Sequence, residues 1–462
     1  MTYAEFLQSK HRKVVSSGFE KPRENMNQHM FDWQKDIAYW ALKKGRAALF
    51  EDCGLGKTLQ QLEWAQSVCD YTERPVLIVA PLAVAEQTRH EGEKFGYQVS
   101  VCRTQNDVLD GINITNYEML SHFDASKFTG VVLDESSILK NYTSKTRTHI
   151  IEMFRDTPYK LSCTATPSPN DYMELGNQAE FLGVMSRTEM LATYFIHDGS
   201  NTSKWRLKGH AEDRFWSWVA EWAVVLTSPA DLGYSGEGYN LPQLNTVEHL
   251  VEPGTKAMDG NLTLFTKTAQ TLSERREARR NSLDERCEEA AEIVKTDAGQ
   301  WLVWCDLNDE SSKLKSLIPG AVEIRGSDTP QDKADRLRGF TDDSIRVLVT
   351  KPSIAGFGLN WQGCHNMIFV GLSDSYEMMY QAIRRCYRFG QVNTVNVHIV
   401  TSTAEGAVRE NIERKDRQRA DMTAEMVRHT KEILRKEIRG TTRDVIEYNP
   451  QVEMKIPAWL IA

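Results

Sequence analysis

Three separated stretches of the 462-residue chain hold residue types that together handle phosphoryl groups. The first is Glu51-Asp52-Cys53-Gly54-Leu55-Gly56-Lys57-Thr58. It follows a short apolar run, Arg46 to Phe50, and opens a helical pattern at Lys57. Glycines at 54 and 56 let backbone N–H groups turn inward around phosphate oxygens. The helix N-terminus adds partial positive charge, Lys57 can reach the β- and γ-phosphates, and the Thr58 hydroxyl can hold magnesium. Position 51 is Glu, so the first glycine of the common Walker pattern is missing. The second stretch is Val131-Val132-Leu133-Asp134-Glu135. Two acids closing a buried strand are costly unless something needs them. Asp134 can help hold magnesium and Glu135 can orient or activate a water. Alone, such acids would read as a helix cap and first turn; the upstream Lys57-Thr58 reverses that reading. The third stretch, Gln381 to Gln391, sets Arg385 and Arg388 three residues apart on one helix face. Arginines there can neutralise transition-state charge from across a cleft, or form a surface salt-bridged face.

These groups need a rigid frame, and the hydrophobic pattern supplies one. Short apolar runs at 46–50, 76–80 and 131–133 alternate with helical segments, as in a parallel sheet covered on both faces. The pattern returns at 301–304, 346–349, 367–370 and 395–400, giving two α/β domains. Between them lies a different region, with Trp205, Trp216, Trp218 and Trp222 and a loop from Gly233 to Gly238. Those tryptophans read as packing residues rather than a base-stacking platform. Arg275, Arg276, Arg279 and Arg280 form either a solvated helix face or a DNA-facing one. Residues 404–440 read as helical, with Arg414, Lys415, Arg417 and Arg419 on a solvated face.

Composition narrows the class. Apolar residues make up 40% and charged residues 26%, ordinary for a globular protein. No apolar run approaches a membrane span, and the N-terminus does not read as a secretory signal. The eight cysteines form no C-x-x-C pair, which removes zinc-ribbon and thioredoxin-type sites and fits a reduced, cytoplasmic setting. A net charge of −8 argues against coating nucleic acid over the whole surface but leaves room for a confined basic groove.

Taken in order, the motifs resemble the superfamily-two helicase ATPases of the Swi/Snf-type DNA-translocase group, in a compact form like those of phages and prophages. The resemblance covers about residues 31–415. Phe31, Trp33 and Gln34 are similar to the adenine-reading Q motif, and Glu51–Thr58 to the first motif. Val76–Leu82 resembles the next, and Ile114-Thr115-Asn116-Tyr117 its strand-contacting partner. Asp134-Glu135-Ser136-Ser137, with Leu139-Lys140-Asn141 and Ser144, resembles the second motif; Thr164-Ala165-Thr166-Pro167, with Asn170, Glu174 and Leu175, the third. Gly326-Ser327, Arg336 and Phe340 lead into a fifth motif of Ser353, Ala355-Gly356, Gly358, Leu359 and Asn360. Gln381–Gln391 resembles the sixth. Ser136-Ser137 replaces the usual Ala-His, Gly371 stands where the family often has Asp, and Pro229-Ala230-Asp231 replaces a basic stretch. A Trp-Asn-Pro signature before the sixth motif is absent, and no chromatin-reading, zinc or nuclease module is visible.

The resemblance implies an α/β fold of two RecA-like parallel-sheet lobes facing across an ATP cleft, with a mainly helical insertion between them. The expected segments are 1–180, 181–290, 291–415 and a helical tail, 416–462. It implies ATP and magnesium as ligands, with Gln34, Gly54, Gly56, Lys57, Thr58, Asp134 and Gly358 around the nucleotide, and Thr58 and Asp134 on the metal. Lys57, Glu135, Arg385 and Arg388 would be catalytic; Thr164, Thr166 and Gln381 would couple the lobes. Asn116, Thr350, Ser353 and Asn360 would contact DNA, expected to be duplex and read without sequence preference. A strand-separating DNA or RNA helicase, and a nucleotide-gated binding module with little turnover, are the alternatives. No membrane partner is expected.

Overall fold

The computed structural model describes residues 14–252, 277, 279–403 and 406–439, apart from 83, 170, 199, 200, 356–359, 373 and 374. Two parallel sheets dominate it. The first has seven strands in the order β3-β4-β2-β5-β6-β1-β9. These are β1 (Arg46–Glu51), β2 (Val76–Ala80), β3 (Val99–Val101), β4 (Ile112–Asn116), β5 (Gly130–Asp134), β6 (Tyr159–Cys163) and β9 (Ala223–Leu226). Between β6 and β9 runs an antiparallel hairpin of β7 (Phe195–Asp198) and β8 (Asn201–Leu207). The second sheet has six strands in the order β10-β15-β14-β11-β13-β12. They are β10 (Leu244–Val251), β11 (Trp301–Cys305), β12 (Val322–Glu323), β13 (Val347–Thr350), β14 (Asn366–Val370) and β15 (Val395–Ser402).

The strands are unbroken apolar runs because both faces of each sheet are covered. Val76 to Ala80 is wholly buried, as is Trp301 to Cys305. Each sheet separates two apolar clusters, one per face. Five helices matter for the site: α1 (Asp32–Lys44), α2 (Lys57–Thr72), α3 (Glu212–Ala220), α4 (Tyr376–Ile383) and α5 (Gly406–Arg439).

The segment boundaries differ from the expectation in three places. The first sheet takes its last strand from 223–226, beyond residue 180, because Ala223–Leu226 pairs in parallel with Ala48–Glu51. The second sheet starts at β10, ahead of 291, through parallel pairing of Leu244–Val251 with Val395–Ser402. The stretch read as a helical insertion therefore holds a hairpin and two sheet strands. Trp216, Trp218 and Trp222 are buried beneath the first sheet, as packing residues should be.

The third difference is α5, which runs through the expected 415/416 boundary without a break. It leaves the second lobe and returns to the first. Leu434 and Ile438 enter one first-lobe cluster, and Met426 and Val427 the other. Glu437 accepts from the Trp40 indole at 2.9 Å and pairs with Lys44 at 3.0 Å. Arg435 donates to the carbonyls of Asp231 and Ala230, at 2.9 and 3.1 Å. Pro229-Ala230-Asp231 is thus the seat of a basic side chain from elsewhere. Arg419 does not lie on a freely solvated face; it packs over the Tyr380 ring. Arg279 is buried against Asp306 at 2.5 Å while Arg280 is exposed, so that face is split; Arg275 and Arg276 lie outside the described residues.

Candidate active site

Strands β5, β6 and β1 are neighbours, so their C-terminal ends bring three motifs to one edge. In open parallel sheets that edge is where ligands bind. From β1 the chain enters the Gly-rich turn and then α2. Gly54 and Gly56 have φ of +90° and +76°, a region that suits glycine. A Cβ at Gly56 would lie 2.5 Å from Gln34 Nε2, and one at Gly54 would lie 3.0 Å from the Phe389 nitrogen. The loop is therefore a cradle that only hydrogen fits. Gln34 braces it: its Nε2 donates to Leu55 O at 2.9 Å, and its Oε1 accepts from Phe31 N at 3.0 Å. The Lys57 ammonium donates to the carbonyls of Glu51 (2.7 Å) and Asp52 (3.1 Å).

Asp134 ends β5, and Gln61 of α2 donates to its Oδ1 at 2.8 Å. Glu135 follows with φ +54°, a costly value for a residue with a side chain. Burial raises both carboxyls above the usual range. The charge of Asp134 pushes Glu135 further, to about 7, against the pull of Lys57 and Arg385. Thr164 Oγ1 donates to Glu135 Oε2 at a long 3.5 Å, and accepts from Thr166 N at 3.0 Å. Oxygen donors at Thr58 and Asp134, beside an N–H cradle and a lysine, suit a hard divalent cation such as magnesium.

The second lobe delivers its share from α4 and the turn after it. Glu377 accepts from Thr166 Oγ1 at 3.2 Å and pairs with Lys140, closing the gap between lobes. Arg385 is buried, and its Nε donates to Gln381 O at 2.9 Å. Burial and the like charge of Arg385 lower Arg388 to about 10, against the opposing pull of Cys53 and Glu91. An arriving polyphosphate would reverse that balance. Gln381 is buried, and its Oε1 has no hydrogen-bond partner among the described residues.

The expected DNA-contacting residues fare unevenly. Thr350 is corrected as a side-chain contact: its side chain is fully buried and its Oγ1 donates to Ile324 O at 3.4 Å. Asn116 caps the 3₁₀ turn that follows β4, accepting from Met119 N at 3.2 Å. Ser353 is exposed and Asn360 half-buried. Asn170 and Gly358 lie outside the described residues.

Two departures from the family pattern have local explanations. Ser136-Ser137 has no ring to link the second motif to the third. Gln178 ties Ser136 to β6, the strand that leads into the third motif, donating to Ser136 O (2.9 Å) and accepting from Ser162 Oγ (2.5 Å). Gly371 has φ +77°, and a Cβ there would lie 2.5 Å from Arg286 Nη1, which belongs to a buried pair with Glu310. Gln178, Glu377, Tyr380 and Arg384 were not singled out from sequence. Their partners lie far away in the chain, so no local spacing marks them.

Residues 33–194 match the SNF2-related domain family, and residues 285–390 match the helicase conserved C-terminal domain family. The first lobe is thus similar to SNF2-related domains and the second to helicase C-terminal domains. The TATA-binding protein-associated factor MOT1 of Saccharomyces cerevisiae is 32% identical over 119 residues, 24% of this chain and 6% of that protein. The SWI/SNF-related matrix-associated actin-dependent regulator of chromatin subfamily A-like protein 1 of Bos taurus is 21% identical over 409 residues, 78% of this chain and 41% of that one. The human DNA annealing helicase and endonuclease ZRANB3 is 22% identical over 425 residues, 81% and 38% of the two chains. The chain thus spans well under half the length of these relatives. The Sulfolobus solfataricus SWI2/SNF2 ATPase core in complex with dsDNA aligns with 92% of this chain and 99% of that one, at 18% identity and TM-score 0.42. Among the described residues no helix is long and apolar enough to cross a membrane.

Proposed function

We propose that the protein hydrolyses ATP between its lobes to move along duplex DNA and displace what is bound there. The observation that carries the ATP half is the half-buried acid pair Asp134–Glu135, which interacts with Lys57 of its own lobe and Arg385 of the other. A carboxyl raised in this way can take a proton from water, and the charges of Lys57 and Arg385 draw it toward the ionised form. The Gly54–Gly56 cradle and Lys57 bind the phosphates, and Gln34 lies at the adenine end. Glu135 orients the attacking water and takes its proton. Magnesium, held by Thr58 and Asp134, would neutralise charge on the β- and γ-phosphates. Arg385 and Arg388 stabilise the transferring phosphoryl group from the second lobe. Thr164, Thr166 and Gln381, with Glu377, report the state of the nucleotide to the lobe interface. Alternation between lobe arrangements is then a population shift biased by ATP against ADP.

The DNA half rests on the SNF2-related family and on relatives whose names place them on chromatin and DNA. Asn116, Ser353 and Asn360 remain the residues proposed to meet the backbone. ATPase stimulation by blunt duplex, single strands and RNA tests this reading, with displacement of a third strand set against unwinding of a plain duplex. Duplex stimulation should weaken with salt, with a binding slope of roughly −0.9 per phosphate neutralised. Stimulation by single strands or RNA alone, with efficient unwinding, would replace translocation by strand separation.

A further inference from the structure

Three arginines lie on the turn after α4, and one of them faces away from the acid pair. Arg384 reaches back to the phosphate loop instead. Its Nη2 donates to Asp52 Oδ2 at 2.6 Å and to Cys53 O at 2.9 Å. Tyr380, one turn earlier, donates its hydroxyl to the other carboxylate oxygen of Asp52. The second lobe thus holds Asp52 by both oxygens. Asp52 N donates to Leu226 O at 2.9 Å, and its own Oδ1 accepts from Cys53 N at 2.7 Å. Cys53 packs against an apolar cluster of the second lobe. The Tyr380 ring in turn carries Arg419 of α5, 4.1 Å from its centroid, and Arg419 Nε donates to Tyr376 Oη at 2.9 Å. Burial alone would raise the Asp52 carboxyl; the charge of Arg384 and the Tyr380 hydrogen bond outweigh it and hold it below the usual range.

We propose that Asp52, Tyr380 and Arg384 form a clamp by which the second lobe sets the shape of the phosphate loop, making them positioning residues for ATP hydrolysis. The loop is anchored at its ends by β1 and α2, but its middle contains two glycines in the left-handed region and has many alternative conformations. Arg384 and Tyr380 select one of them by gripping the residues just before Gly54. Lobe closure then does two things together: it brings Arg385 and Arg388 toward the acid pair, and it seats the clamp that orders the cradle. With the lobes apart, Asp52 keeps only its own-lobe contacts, and the loop pays its ordering cost when nucleotide binds. Arg384 touches no phosphate in this scheme, so its effect falls on the closed, reacting state.

The inference rests on the cleft being the ATP site and not on the nucleic-acid reading. The test therefore compares variant to parent both without nucleic acid and with duplex; the parent's response to duplex judges the translocase reading separately. Arg384→Met should lower kcat at least about tenfold, one factor of ten for each ~1.4 kcal/mol lost from the closed state. The affinity for a fluorescent, non-hydrolysable ATP analogue should change no more than about threefold, since the open state binds without the clamp. Asp52→Asn should behave alike, and the double variant should be no worse than the poorer single one, because the pair acts as a unit. Arg384→Lys should recover most of the rate. Tyr380→Phe removes one hydroxyl from an otherwise unchanged ring and should lower kcat severalfold with an unaltered melting temperature; it keeps the test decisive if an arginine variant folds poorly. Parental kcat in Tyr380→Phe and Arg384→Met, or single losses that multiply in the double variant, would overturn the clamp.

Discussion

The two lobes contribute to the cleft in different ways. In the first, Lys57, Asp134, Glu135, Thr164 and Thr166 come from the ends of three adjacent strands, each fixed by its own ladder. In the second, Glu377, Tyr380, Gln381, Arg384, Arg385 and Arg388 come from one helix and the turn after it. A group on a strand end can be removed alone, with its neighbours left in place. Groups on one short helix and turn move together when that segment moves. The first lobe therefore presents its groups one by one, and the second presents its groups as a unit.

Variants can break this contrast, starting with the largest effects. Lys57→Ala and Glu135→Gln should both abolish turnover in steady-state hydrolysis, but a nucleotide titration should separate them. The lysine is a positioning charge on the phosphates, so its loss weakens ATP binding; the glutamate acts on water, so its amide still binds ATP. Near-normal hydrolysis by Glu135→Gln would take the water-activating role away from that residue. Next come Arg385→Ala and Arg388→Ala. If each stabilises the transferring phosphoryl group, either loss costs on the order of 10³–10⁵ in rate with little change in ATP affinity. A parental rate in both would make them structural.

A smaller effect separates two residues that the sequence treats alike. Asn116→Ala should reduce duplex-stimulated ATPase severalfold if its side chain leaves its cap to meet a phosphate; loss of the cap alone costs about 1 kcal/mol of stability. Thr350→Ala should leave stimulation unchanged and lower only the melting temperature, because its hydroxyl is buried against Ile324 O. The smallest effect is one of pH. Burial raises Glu51 to about 7, with Lys57 and a hydrogen bond from Gln60 opposing. The folded state then holds a proton that the unfolded chain gives up near 4.5. Stability from this residue is complete below that value, declines as pH rises toward 7, and stays low beyond it. Glu51→Gln should raise the melting temperature more at pH 8 than at pH 5. A pH-independent difference would mean that Glu51 is ionised in the fold.

Legibility in the sequence follows the same contrast. The phosphate loop could be read because strand, glycines, lysine and helix are contiguous. Asp134 and Glu135 could be read because acids are conspicuous at the end of an apolar run. Arg385 and Arg388 showed through their spacing. Arg384, just before them, did not, since its meaning depends on Asp52, 332 residues away in the chain. Thr350 was misplaced because a strand end looks like a rim, whereas its side chain turns inward. β9 was missed because four apolar residues among tryptophans give no period. The return of α5 was missed because its outer face, rich in charge, hides the few positions that enter the core, Met426, Val427, Leu434 and Ile438.

The path of α5 fixes an order of assembly. On the ribosome, β1 to β9 emerge first, yet both apolar clusters of that sheet stay partly open until Met426 to Ile438 arrive. The whole second lobe is made in the interval, a wait on the order of ten seconds at about 5–20 residues per second. The earlier half of the chain is thus finished last, sealed by a segment made after its neighbour. During that interval its uncovered surface is where a nascent-chain chaperone would bind and where misassembly would begin.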